Sequence, residues 1–102
     1  MKRYNKIVRD NIPEAIQKSG KQYSIETVDD KTAIKYLVDK VFEEATELKK
    51  KFSIEELADL QEVIDAILEK TGIDSHEFSS VKREKAKERG TFKKNIILKV
   101  VK

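Results

Sequence analysis

Two amphipathic runs separated by two or three residues constrain this chain more than any other feature. From about residue 30 to residue 51, the apolar residues Ile34, Leu37, Val38, Val41, Ala45 and Leu48 recur at helical spacing. From residue 54 to about Lys70, Leu57, Leu60, Val63, Ile64, Ile67 and Leu68 do the same. Asp29-Asp30 is a start signal for the first run, and Ser53-Ile54-Glu55-Glu56 matches a capping box for the second. Only Phe52 and Ser53 connect them, so the two helices must be antiparallel neighbours. The expected fold class is all-α. The hairpin is expected to form a four-helix bundle with the hairpin of a second copy.

The rest of the chain reads as shorter elements. Pro13 starts a helix that runs to about Gln17, with Asp10 or Asn11 as the cap and Gly20 beyond its end. Asp74 or Ser75 caps a fourth helix that Gly90 closes. Residues 22–28 (QYSIETV) and 95–101 (NIILKVV) are rich in strand formers and are expected to pair as a small N/C-terminal β element. A chain of 102 residues fits one domain, 1–102.

Composition removes several chemistries. There is no cysteine, so disulfides, thiolate metal sites and thiol catalysis are excluded. The single histidine, His76, excludes a multi-histidine zinc site within one chain and reads as an exposed residue. A metal here must be held by oxygen, which favours magnesium, manganese or calcium. No apolar run reaches membrane-span length and no signal-peptide run opens the chain, so the expected setting is the cytoplasm. The net charge of +3 is mild and both signs are interspersed, which suits a polyanionic small molecule and does not by itself argue for nucleic acid.

The two long helices carry Glu44-Ala-Thr-Glu47 and Glu56-Leu-Ala-Asp59. Residues three apart lie on one side of a helix, so each pair can aim at one point, and two pairs on facing helices can surround a divalent cation. At about 100° per residue, Glu44 and Asp59 fall at the margins of their apolar stripes and Glu56 falls inside its own. Such acids need compensation, because unpaired buried charge is costly. Glu43, Glu62 and Asp65 fall on the sides away from the apolar centres and read as solvated. Spacing alone leaves a plainer alternative open. Glu47 can pair with Lys50 or Lys51, Glu56 can be the far member of the capping box, and Asp59 can be a surface residue.

The segment KVFEEATELKKKFSIEELADLQEVIDAI resembles the MazG-like, all-α nucleoside triphosphate pyrophosphatase superfamily and is similar to phosphoribosyl-ATP pyrophosphohydrolases. The opening YNKIVRDNIPEAI and the ending KAKERGTFKKNIIL resemble a small subgroup of the latter, so the likeness spans nearly the whole chain. In that superfamily the two acidic motifs bind magnesium. The resemblance therefore implies Glu44, Glu47, Glu56 and Asp59 as ligands, with manganese as a substitute ion. The superfamily has a longer stretch between the motifs than residues 48–55 here. Pairing Glu47 with Glu62-x-x-Asp65 would restore that length, but it faces those acids outward and fits the ELADL block less well.

The implied reaction is attack of water on the α-phosphorus of a nucleoside triphosphate, releasing a monophosphate and pyrophosphate, with Glu47 as the base that accepts the proton. Phosphate contacts are expected from Lys6 and Arg9 in the opening motif and from Lys85 and Arg89 near the end of the fourth helix. No Gly-rich phosphate loop is present. Three readings stay open: a nucleotide pyrophosphohydrolase, either serving nucleotide-pool house-cleaning or acting on phosphoribosyl-ATP in histidine biosynthesis; a non-catalytic helical dimer that binds nucleotide or protein; and a nucleic-acid binder, which the scatter of basic residues disfavours.

Overall fold

A computed structural model of the chain describes residues 1–102, which form four helices: α1 (Ile12–Lys18), α2 (Asp30–Lys50), α3 (Ile54–Thr71) and α4 (Ser75–Arg89). They fall in two compact units, Met1–Gly72 and Ile73–Lys102.

In the first unit α2 and α3 pack along each other. Each begins at a capped residue. Asp29 accepts a bond from the Thr32 amide at 2.9 Å, and Ser53 accepts one from the Glu56 amide at 3.1 Å. Both satisfy amides that a helix start leaves without intrahelical partners. Gly72 ends α3 at φ 71°, a left-handed conformation that glycine adopts without a Cβ penalty. Lys70 Nζ lies 3.3 Å from Asp30 Oδ1, so the last turn of α3 meets the first turn of α2, as antiparallel neighbours must. The hairpin expected from the short connection is thus present. Its seam is thin: Ala33, Leu37 and Val63 are the buried apolar residues. Phe42, Phe52 and Ile54, around the closed end of the hairpin, are 69–76% exposed.

α1 is a seven-residue helix with Pro13 in its first turn. Asn11 occupies its cap position but makes no side-chain bond, so neither residue expected to cap this helix does so through its side chain. In the second unit Asp74 caps α4 through the Glu77 amide at 3.3 Å, and no residue of α4 is buried.

The expected β element is absent. Residues 22–28 and 95–101 form no strand, and the structure is helical throughout its regular elements. Strand-forming composition produces a strand only when a neighbour supplies the ladder of amide and carbonyl partners. Residues 22–28 belong to the first unit and 95–101 to the second, and neither segment takes up a strand. The apolar side chains of the final segment, Ile96 to Val101, remain exposed.

Candidate metal centre

The closed end of the hairpin positions the acids. Ser53 starts α3 at Ile54, which puts Glu56 in the first turn and Asp59 one turn later. Glu44 sits near the end of α2, so the antiparallel return brings α3 back against it. Carboxylate oxygens of Glu44, Glu56 and Asp59 all lie within 4.8 Å of one another. Oxygens on opposite sides of a magnesium ion are separated by roughly 4.2 Å, at about 2.1 Å per bond. The three oxygens are therefore close to the spacing that such an ion takes.

Two features set this group apart from an ordinary acidic surface. Glu56 Oε2 is buried and has no hydrogen-bond partner. The capping box is consequently half formed: Ser53 caps the Glu56 amide, while Glu56 leaves a carboxylate oxygen unpaired instead of committing its side chain to the cap. Burial pushes the Glu44 carboxyl above its ordinary value of 4.5, Asp59 and Glu56 add to the rise by repulsion, and Lys40 opposes it. A donor set of hard carboxylate oxygens, one of them buried and unpaired, is of the kind that could hold a divalent cation.

Cations from the same unit surround these acids. Arg9 Nη2 donates to Asp59 Oδ1 at 2.7 Å. Lys6 Nζ donates to Glu43 Oε1 at 2.6 Å. Lys40 Nζ lies 2.9 Å from Glu43 Oε2 and 3.8 Å from Glu44 Oε1. The bonds from Lys6 and Lys40 hold the Glu43 carboxyl below its usual range, and the bond to Glu43 raises Lys6. Lys6, Arg9, Lys40, Glu44 and Asp59, with Val8 and Ile12, line one cleft of about 270 Å³.

The other residues singled out from sequence lie elsewhere. Glu47 is half-exposed, 3.8 Å from Lys50, and is not among the three converging carboxylates. Glu62 and Asp65 are exposed, as expected, and Asp65 accepts a bond from Gln61. Lys85 and Arg89 belong to the second unit, where they line a cleft of about 420 Å³ together with Lys82 and Phe92. Residues 73–102 hold nine Lys or Arg against four Asp or Glu, so that cleft lies in a basic setting suited to anions.

No protein-family model, curated protein or solved structure matches the chain.

Two residues were missed from sequence. Glu43, read as solvated, is partly buried and bonded to both Lys6 and Lys40. Lys40, which lies outside both acidic motifs, is only 16% exposed. The signal for both was the spacing Lys40-x-x-Glu43-Glu44, which offers ion pairs at i,i+3 and i,i+4.

Proposed function

We propose that the chain is a magnesium-dependent nucleoside triphosphate pyrophosphohydrolase of the MazG-like kind, working in the cytoplasm. The observation that carries this reading is the convergence of Glu44, Glu56 and Asp59 around a buried, unpartnered Glu56 oxygen. The resemblance of EEATE and ELADL to the acidic motifs of that superfamily gives the set its chemistry.

Glu44, Glu56 and Asp59 would hold the cation. Glu47, one turn from Glu44 on the same helix, is the fourth acid proposed to join them and the candidate base. When bound, magnesium supplies neutralisation of phosphate oxygens and acidification of water. The chain's own contribution is positional. Arg9 and Lys6 bring positive charge to the cleft beside the acids, where a triphosphate needs it. In the reaction, water oxygen bonds to the α-phosphorus, the α–β bridging bond breaks, and pyrophosphate leaves while a carboxylate takes the water's proton. Lys85 and Arg89 are proposed to hold phosphate in the second unit's cleft.

The chain is further proposed to act as a homo-oligomer. Its hairpin buries few apolar residues of its own, Ala33, Leu37 and Val63. The apolar residues around the closed end of the hairpin, Phe42, Phe52 and Ile54, suit a second hairpin completing a four-helix bundle.

The test is a panel of nucleoside triphosphates and phosphoribosyl-ATP with pyrophosphate detection, run with magnesium and with chelator. Magnesium-dependent release from at least one substrate is expected, and preference for phosphoribosyl-ATP would assign the histidine-pathway activity. Nucleotide binding with no pyrophosphate from any substrate would favour the non-catalytic dimer.

A further inference from the structure

The metal-ligand reading leaves one contact unexplained: an arginine occupies an oxygen of a proposed ligand. Arg9 Nη2 donates to Asp59 Oδ1 at 2.7 Å, from a segment fifty positions away in the chain. We infer that Arg9 is a built-in counter-ion which a divalent cation displaces from Asp59, so that its guanidinium becomes available to phosphate only once the cation is in place. This inference rests on the proposed metal site and deepens it by giving the order in which the site is filled.

With Glu47 left on its own partner Lys50, the group consists of the converging acids Glu44, Glu56 and Asp59, the adjoining Glu43, and the cations Lys6, Arg9 and Lys40. Fully ionised, the group carries one excess negative charge. Adding a divalent cation while every pair stays closed leaves it one charge positive, and releasing one side-chain cation restores neutrality. A cation that must leave one carboxylate is then free for an incoming anion.

Mobility decides which cation leaves. Lys40 is held by two acids and is only 16% exposed, so its charge is fixed. Lys6 is bonded to Glu43, which is outside the converging set, and a cation held by that set does not compete for it. Of the two cations paired with members of the set, Lys40 with Glu44 at 3.8 Å and Arg9 with Asp59 at 2.7 Å, only Arg9 is largely exposed, at 57%. Its backbone stays tethered on both sides. Lys6 is anchored three residues before it, and the Ile12 amide donates to the Arg9 carbonyl at 3.1 Å three residues after. The guanidinium can therefore leave Asp59 without leaving the cleft. Its planar fork of donors then meets phosphate oxygens, its preferred partners after carboxylates.

The test is manganese binding to the full chain, with the metal alone as probe, by calorimetry or electron paramagnetic resonance near neutral pH. Wild type, Arg9→Gln, Arg9→Lys and Asp59→Asn are compared, with helicity checked by circular dichroism. Arg9→Gln should bind manganese about two- to fivefold more tightly than wild type, the range that release from an exposed ion pair allows. Arg9→Lys, which keeps the charge, should stay near wild type, and Asp59→Asn should bind more weakly. General damage to the fold loosens metal binding, so a gain in affinity is not a folding defect, and a gain that persists in high salt, which screens the mere loss of a nearby positive charge, is specific to the exchange. If Arg9→Gln binds no more tightly while Asp59→Asn is weakened, the exchange is wrong and the metal site stands. If wild type shows no saturable manganese binding, both fall.

Discussion

Arg9 and Asp59 are joined by a 2.7 Å charge-assisted bond, which ties the segment before α1 to the second turn of α3. A second bond, Lys6 to Glu43, runs alongside it to α2. Exposed pairs of this kind contribute at most about 1 kcal/mol each. Their importance is positional, because they bring two cations to the acids proposed to bind metal.

The acids should separate by substitution. Glu44→Gln and Asp59→Asn are each expected to abolish magnesium-dependent hydrolysis while helicity is unchanged. Glu47→Gln should lower kcat by about a hundredfold, the lower range for loss of a general base, yet weaken manganese binding less than Asp59→Asn does. Steady-state rates and manganese titrations on the three variants check this. A near-wild-type rate for any variant removes that residue from the site.

A pH dependence follows from Glu44. Its carboxyl sits above the ordinary 4.5 because of burial and neighbouring carboxylates. A folded-state value raised in this way gives stability that is complete below 4.5 and is lost as pH rises through the elevated value. In chelator at pH 7, Glu44→Gln should therefore melt at a higher temperature than wild type, and the gap should close towards pH 4. Glu43 is shifted downward, so its contribution has the opposite sign, is present above 4.5 and fades on acidification. Comparing wild type with Glu44→Gln cancels it. Saturating magnesium should raise the Tm of wild type at pH 7 and do little for the variant. A wild type that is the more stable protein in chelator would contradict this account of Glu44.

Phe42 tests the proposed assembly. It is 69% exposed on α2, four residues beyond the half-exposed Val38. Phe42→Glu should convert an oligomer into monomers at micromolar concentration, read by light scattering. A wild-type protein that is already monomeric there would remove the four-helix bundle between copies.

The start of α3 is tested at Ser53. Its side chain caps the Glu56 amide, and Ser53→Ala should lose about 1 kcal/mol in urea denaturation. Manganese binding should weaken alongside, because fraying of the first turn moves Glu56. An unchanged unfolding midpoint would mean that the cap carries no stability.

Much of the helical framework was legible in the chain. The apolar spacing located α2 and α3, Asp29 and Ser53 marked their starts, and the short connection required the hairpin that the Asp30–Lys70 pair then closes. Three of the four acids chosen by motif and helical position do converge. Glu47 does not, because a stem of freely rotating bonds lets its carboxylate turn to Lys50, and helical spacing fixes only where the stem begins. The β element failed for a related reason. Residues 22–28 and 95–101 each have the composition of a strand, but pairing depends on a partner that neither segment specifies.

The sequence by itself determined what depends on neighbours within a few positions: which stretches are helical, where they begin, and that two of them run back to back. Only the tertiary structure decided what depends on residues far apart in the chain. It set Arg9 against Asp59, bonded Lys6 to Glu43, left Glu56 Oε2 without a partner, and gave the two would-be strands no ladder. Periodicity and capping act over one or two helical turns. A meeting between side chains fifty positions apart depends on the relative rotation of packed helices and on rotamer choice, which no local pattern encodes.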